Sequence, residues 1–226
     1  MSEEIHPLSG NELILRLKEL FDQYDFSTLK IKEIRVEHEI VLRYVWCEGI
    51  NRFISFLKRE LRLSHPHCYH DAIKYLINRI FLKNNANLEV KMDKKRIDLV
   101  EKNPPHEKHE VKTLEYIFLE QFKLKLGRLI DSAANQADLR NIWWLCFLHQ
   151  AKTIKGRVCV YFLGFITMSA ARLKRIKNAG KKKELVDQII SKQQELEKAI
   201  IEEEQIDPEE LENEFLFGVE NAIVSN

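Results

Sequence analysis

The sequence contains few residues that interrupt helices. Its 226 residues include only 7 glycines and 5 prolines, whereas average usage would give roughly 27 of the two together. This scarcity favours long helices, and it argues against glycine-rich nucleotide-binding loops and turn-rich β-sandwiches. We therefore predict a mostly α-helical protein, a bundle of roughly six or seven helices, and allow for one short β-hairpin near 88–100.

Signals for disulfides and for membrane insertion are also weak. The four cysteines have no CxxC spacing and lie in mostly apolar surroundings, which is typical of reduced, buried thiols. The acidic N-terminus lacks the apolar core of a secretory signal. The longest apolar run, 158–171, is shorter than the roughly 20 residues of a membrane-spanning helix. We predict a cytoplasmic (intracellular) protein with no membrane span and no cofactor.

Helical periodicity of apolar residues assigns most of the chain. The expected helices, after one near the N-terminus, are 68–83, 103–130, 136–152, 157–179, 181–204 and 207–224. Residues 29–46 are rich in β-branched side chains and fit either a helix or a pair of strands. Trp143 and Trp144 cannot share one face of a helix, so one of them is expected at a partner-facing surface. We divide the chain into a helical core domain, 1–180, and an acidic helical extension, 181–226.

Charge is segregated along the chain although its sum is only +1. Residues 151–183 hold 10 basic and no acidic residues, and 184–226 hold 2 basic and 13 acidic residues. Like charges this close repel unless an anion lies near them. The basic residues are Lys152, Lys155, Arg157, Arg172, Lys174, Arg175, Lys177, Lys181, Lys182 and Lys183.

Three interpretations of the basic segment stay open. Its cations can simply suit the C-terminal end of a helix, bind the phosphates of RNA or DNA, or face an anionic membrane surface or acidic protein. The hypothesis we favour is a non-catalytic binding or adaptor subunit of a larger assembly, with this basic surface directed at nucleic acid or another polyanion. Cations in 52–62 and 74–96 could extend the surface.

The acidic C-terminal segment has its own alternatives. It could fold back on the basic segment, pack on its own domain, or dock the apolar face of the 207–224 helix on a partner protein. In the binding hypothesis this helix modulates the basic surface or recruits a partner.

Histidine and cysteine are concentrated at one point of the chain. His65, His67, Cys68 and His70 lie within six residues, and imidazole and thiolate are ligands of zinc and similar metals. A second group, His106 and His109 with Glu110 adjacent, matches no standard zinc spacing. A metal-binding protein is therefore one alternative function.

Arg62 and His67 provide an enzymatic alternative. They stand in Arg62-Leu-Ser-His-Pro-His67, an Arg-x4-His pattern that resembles the catalytic element of the HEPN ribonucleases, which are small helical bundles. The resemblance implies that Arg62 would hold the scissile phosphate and that His67 would support attack by the RNA 2′-hydroxyl.

Overall fold

The computed structural model describes residues 15, 18–19, 21–23, 26–47, 49–50, 66–92, 95–114, 119–136, 138, 140–152 and 159–203. In chain order its elements are β1 Lys30–Glu37, β2 Ile40–Trp46, α1 Pro66–Ile80, β3 Ala86–Met92, β4 Lys95–Glu101, β5 Lys108–Leu114, α2 Leu119–Ala134, β6 Ile142–Lys152, β7 Cys159–Ser169, α3 Ala170–Asn178 and α4 Lys182–Glu203.

All seven strands belong to one mixed sheet, in the order β1-β2-β7-β6-β5-β4-β3. Every neighbouring pair is antiparallel except β5 and β6. The parallel pair is joined by a crossover through α2, as parallel strands require. The protein is therefore an α/β protein, and the predicted mostly helical bundle is wrong.

The error arose from strands that are covered on both faces of the sheet. In β6, Trp143 and Phe147 pack on the α2–α4 side and Trp144 and Cys146 on the α1 side. Such strands read as continuous apolar runs instead of alternating ones, and 136–152 and 157–179 were therefore predicted as helices. Both tryptophans are buried, so neither forms the partner-facing surface that a helix would have required.

Two hydrophobic layers hold the sheet. Helix α1 packs on one face through residues such as Ile73 and Leu76. Helices α2, α3 and α4 cover the other face, with Phe122 and Ile189 among the buried side chains. Each layer buries apolar side chains of the sheet, and this burial is the main stabilising contribution.

The low glycine content of the chain does not mean that it has few tight turns. Left-handed backbone conformations occur at Glu39, Lys83, Asn84 and His106, with φ between 51° and 65°. These non-glycine residues adopt, in loops, the backbone conformation that glycine adopts most easily. A low glycine content therefore does not exclude such loops. The segment 103–130, predicted as one helix, accordingly contains the turn after β4, strand β5 and only the first part of α2.

Several local predictions are confirmed. Helices at 66–80 and 182–203 and the hairpin 86–101 are present, and 29–46 forms the strand pair of the two alternatives. Gly180, the second residue after the end of α3, has φ +70°, a left-handed conformation that glycine adopts readily. Within the described residues, the helices are too short or too polar to cross a lipid bilayer. The division at 180/181 stays a prediction, although α4 packs on the same core as α2.

Candidate active site

Strands β4 and β5 separate towards one end, and charged side chains occupy the opening. The ladder between the two strands pairs 99–100 with 108–109, and the Glu101 N–H donates to the Glu107 carbonyl at 2.9 Å on one side of it. On the other side no ladder pair continues in the described residues, while β5 stays paired with β6 over 109–114. Just beyond the last pair, the Asp98 carboxylate enters the gap and accepts a hydrogen bond from the Val111 N–H at 2.7 Å. This places a carboxylate in a position where a regular ladder would have backbone hydrogen bonds.

Strand β5 contributes a carboxylate and an ammonium group next to Asp98. Glu110 and Lys112 are two residues apart in a strand, so they lie on one face. Burial raises the pKa of the Glu110 carboxyl, the charge of Asp98 raises it further, and Lys112 and Lys95 oppose the rise. Asp98, Lys112 and Lys95 are thus the charged groups that act on the Glu110 carboxyl. We call Asp98, Glu110 and Lys112, with the α1 and β3 residues described next, the β4–β5 notch.

Helix α1 brings further polar groups to the notch. His70 Nε2 lies 2.9 Å from the carbonyl oxygen of Val111, to which it must donate, and 4.0 Å from Asp98 Oδ2. The Lys74 side chain is only 2% exposed, and its Nζ lies 2.5 Å from Asp71 Oδ1 and 3.8 Å from Asp98 Oδ1. The helix thus fixes the orientation of Asp98 from the side opposite β5.

Glu89 of β3 completes the ring of carboxylates. It has φ 53°, and it stands opposite Asp98, between two residues that pair regularly with β4. Its carboxylate bonds to Lys74 and lies 3.3 Å from Arg96 Nε. A left-handed conformation is uncommon for glutamate, and strain of this kind is concentrated at functional sites.

This arrangement suits a hard divalent cation. Carboxylate oxygens are preferred ligands of Mg²⁺ and Mn²⁺, and Mg²⁺ is commonly held by one or two carboxylates together with a substrate phosphate. Asp98 and Glu110 provide two such carboxylates on neighbouring strands, and Lys112 provides a positive charge beside them.

Comparison with known proteins does not assign a role to the notch. No family model, curated protein or solved structure matches this chain. Its function is therefore inferred from the chemistry of its residues.

A second cluster lies apart from the notch, in a cleft of about 770 Å³. Ligand atoms of Glu101, Glu107 and His109 come within 4.8 Å of one another there. However, Trp144 Nε1–H donates to His109 Nδ1 at 3.1 Å, so the proton of the neutral ring is on Nε2, which donates to Glu101 at 3.1 Å. A metal ion on Nε2 would displace that proton while Trp144 still occupied Nδ1. We interpret this cluster as a hydrogen-bonded group and not as a metal centre.

The buried His109 predicts a pH dependence of stability. Burial lowers the pKa of His109, although the hydrogen bond and charge of Glu101 oppose this. The unfolded chain binds a proton near pH 6.5 while the folded ring resists it, so stability is lost as the pH falls below about 6.5. Denaturant unfolding from pH 7.5 to 5 should show a smaller loss for His109→Gln than for the wild type. Equal pH dependence in the two proteins would contradict the assignment.

The predicted histidine–cysteine cluster is only partly described. His70 faces the notch, His67 and Cys68 lie in α1 with side chains outside the described set, and His65 lies outside the described residues. Arg62 also lies outside them, so the Arg-x4-His ribonuclease pattern stays a prediction, as does a metal site at the cluster.

The predicted basic surface is divided among several environments. Lys174, Arg175, Lys181 and Lys183 are exposed. Arg172 binds Glu37, while Lys177 and Lys182 bind Asp131. Lys152 ends β6, with its side chain outside the described set, and Lys155, Arg157 and the predicted 207–224 helix lie outside the described residues. Among the described residues, the carboxylates that bind this segment come from β1 and α2, and the non-catalytic binding role stays a prediction.

Sequence reasoning singled out two residues of the notch, Glu110 beside His109 and His70 in the histidine–cysteine cluster, and it missed Asp98 and Lys112. The usable signal was Asp98 within an apolar strand, followed twelve residues later by Glu110-Val-Lys112. It could be recognised only once 108–114 was assigned to a strand, because in a helix Glu110 and Lys112 would not share a face.

Proposed function

We propose that this protein is a divalent-metal-dependent hydrolase of phosphodiester bonds in nucleic acids. The observation that carries the proposal is that Asp98 and Glu110 are the opposed positions next to the Leu99–His109 pair, where the ladder of β4 and β5 ends, with Lys112 on the same strand face as Glu110. The two carboxylates would provide part of a metal coordination shell that a substrate phosphate can complete, and the ammonium of Lys112 adds a positive charge for that phosphate.

Each residue has a defined task in this reaction. Asp98 and Glu110 would hold one Mg²⁺ or Mn²⁺ ion, which would supply Lewis acidity for the reaction. Lys112 orients the attacking water and neutralises charge that develops on the phosphate. The oxygen of the attacking water forms a new bond to phosphorus and releases a proton to solvent. The bond to the leaving sugar oxygen breaks, and that oxygen takes up a proton from solvent water.

The surroundings of the notch favour a polyanionic substrate. Lys91, Lys95 and Arg96 are exposed on the β3–β4 hairpin, and Lys112 is exposed on β5. Cations spaced along an open surface can contact successive phosphates of a nucleic acid backbone, with a corresponding salt dependence. This positive surface differs from the 151–183 segment and adjoins the proposed catalytic residues directly.

An intracellular site of action fits the proposal. Cys146 is a free thiol within the core, and burial strongly raises its pKa. Such unreactive, reduced thiols are typical of proteins in the cytosol, where nucleic acids and millimolar Mg²⁺ are both present.

The proposal is tested with labelled single- and double-stranded DNA and RNA, incubated with purified protein and Mg²⁺ or Mn²⁺. We expect cleavage of at least one substrate, loss of cleavage with EDTA, and a roughly 100-fold lower rate in Lys112→Ala, because the variant lacks the ammonium beside the phosphate. Lys123→Ala is the matched control, since Lys123 lies on α2 and pairs with Glu120 of the same helix, and it should cleave like the wild type.

Two outcomes would overturn the proposal. One is the absence of cleavage of all four substrates with either metal. The other is cleavage that persists unchanged in EDTA or in Lys112→Ala.

A further inference from the structure

Strand β1 forms one edge of the sheet. It is the outermost strand on the side of β2, and it pairs with β2 residue by residue from Lys30 to Arg35, with one irregularity between Arg35 and Glu37. Among the described residues, no strand lies on the outer side of β1. An edge of this kind presents a row of backbone N–H and C=O groups to which another strand can add.

The opposite edge of the sheet, β3, is less suited to the addition of a strand. Glu89, in the middle of β3, has φ 53°, and it interrupts the pairing with β4 between Leu88 and Val90. An irregularity in the middle of an edge strand discourages further pairing, whereas the irregularity of β1 lies near its end. Of the two edges, β1 is therefore the one that can accept a strand.

The exposed face of β1 carries an unmatched charge. Glu33 pairs with Arg43 of β2 at 2.9 Å, and Arg43 also donates to the Thr167 hydroxyl of β7 at 2.9 Å. These side chains form a polar row across the sheet, and Glu33 at its outer end is still 60% exposed. Arg35, on the same face of the strand, is exposed and forms no ion pair within the described residues.

A two-fold axis normal to the sheet would bring two copies of β1 together as antiparallel neighbours. Such an axis keeps each face of the sheet on its own side, so that one residue must stand opposite its own copy. Centres on Lys30, Lys32, Glu33 or Arg35 would bring two like charges together directly. A centre on Ile31 would oppose Lys30 to Lys32, which also opposes like charges.

A centre on Ile34 is the one position within 30–35 that opposes unlike charges. It places Glu33 opposite Arg35 of the second copy, and this pair occurs twice in the dimer. Glu33, already bound to Arg43, would thus gain a second arginine, and Arg35 would gain a carboxylate. On the other face of the strand Ile34, which packs on the layer of α2 and α4, would meet its own copy and extend the buried apolar surface.

We propose that the chain forms a two-fold symmetric dimer in which β1 pairs with β1 of a second copy, centred on Ile34, so that the two seven-stranded sheets become continuous. Lys32 would oppose Val36 of the second copy, and its ammonium is directed at α4, where it lies 2.5 Å from Glu203. The proposal is independent of the proposed function, because the notch lies among β3, β4 and β5, at the other end of the sheet.

The test is sedimentation equilibrium of the full-length chain at concentrations up to roughly 100 μM, a range that reveals micromolar association. We expect an equilibrium of monomer and dimer in the wild type. Arg35→Glu and Glu33→Lys should each weaken the dimer by at least about tenfold, because each variant opposes like charges twice. Arg128→Glu, which reverses an exposed charge of α2, is the matched control and should dimerise like the wild type.

Mixing the two charge variants tests the register of the strands. In a dimer of one Arg35→Glu chain and one Glu33→Lys chain, both cross-strand pairs again oppose unlike charges. Native mass spectrometry of the mixture should therefore show mainly heterodimers. Circular dichroism checks folding, and if Glu33→Lys does not fold, the wild type and Arg35→Glu decide.

Three results would contradict the proposal. The first is a wild-type chain that remains monomeric over the whole concentration range. The second is an Arg35→Glu dimer of unchanged affinity, which would show that the copies associate through another surface. The third is a pair of folded, weakened variants that do not associate when they are mixed.

Discussion

Asp98→Asn should lower the rate of metal-dependent phosphodiester cleavage by roughly 100-fold or more, with little change in the fold. The substitution removes the negative charge that is expected to bind the metal. It keeps an oxygen that can accept the 2.7 Å hydrogen bond from the Val111 N–H, so the separation of β4 and β5 should persist. The measurement is the initial cleavage rate at saturating Mg²⁺, together with the thermal midpoint of each protein.

The effect of Asp98→Asn should be specific to the notch. Asp187→Asn, which alters an exposed carboxylate of α4, is the matched control and should retain the wild-type rate. Because the variant lacks one of the two carboxylates proposed to bind the metal, it should bind Mn²⁺ more weakly as well as react more slowly. A folded Asp98→Asn protein with wild-type cleavage would remove the central carboxylate from the mechanism, and the proposed reaction with it.

Local signals in the sequence predicted the amphipathic elements correctly. Helix α4 has Leu185, Ile189 and Leu196 on its buried side and a polar opposite side, so its helical period is visible in the sequence. The hairpin of β3 and β4 lies at the edge of the sheet and shows partial alternation. In both cases one face of the element is exposed and polar. The contrast between polar and apolar residues then reveals the helical or strand period in the sequence.

The central strands could not be assigned in the same way, because tertiary packing determines their character. In β7, Leu163 and Phe165 pack towards α1, whereas Ile166 and Met168 pack on the opposite layer. Both faces must be apolar, so the alternation that distinguishes a strand is lost. The covering layers come from distant parts of the chain, and a local window of sequence does not reveal them.

The same limit explains why the candidate site was not found. Asp98 and Glu110 are adjacent only because β4 and β5 are neighbours in the sheet, and Lys74 comes within 3.8 Å of Asp98 only because α1 packs on the same sheet. The cluster of basic residues in 151–183 is easier to recognise in the sequence than Asp98 and Glu110. However, it describes only the order of charges along the chain and not their positions in space. Catalytic chemistry depends on spatial proximity, which for these residues is set by sheet topology.

The packing of the central strands makes Gly164→Ala the substitution with the largest expected effect on stability. Gly164 of β7 lies between Phe147 of β6 and Tyr44 of β2 in the ladder. A Cβ atom at this position would stand 1.9 Å from Cε2 of Phe147, far inside van der Waals contact. We expect a loss of about 3 kcal/mol or more in the free energy of unfolding, at or above the usual range for overpacking, measured by denaturant titration.

Phe147 cannot simply move away from the new methyl group. Its ring makes edge contacts with Tyr44 and Phe122, at centroid distances of 5.8 and 5.3 Å, and all three rings are buried in one layer. A smaller side chain should relieve the clash, so Gly164→Ala combined with Phe147→Leu should be less destabilised than the sum of the two single variants. Gly127→Ala in α2 is the control, since its Cβ would meet only the flexible end of Lys182 at 3.4 Å, and it should be neutral or stabilising. Wild-type stability in Gly164→Ala, or strict additivity in the double variant, would show that the contact between β6 and β7 differs from the one described.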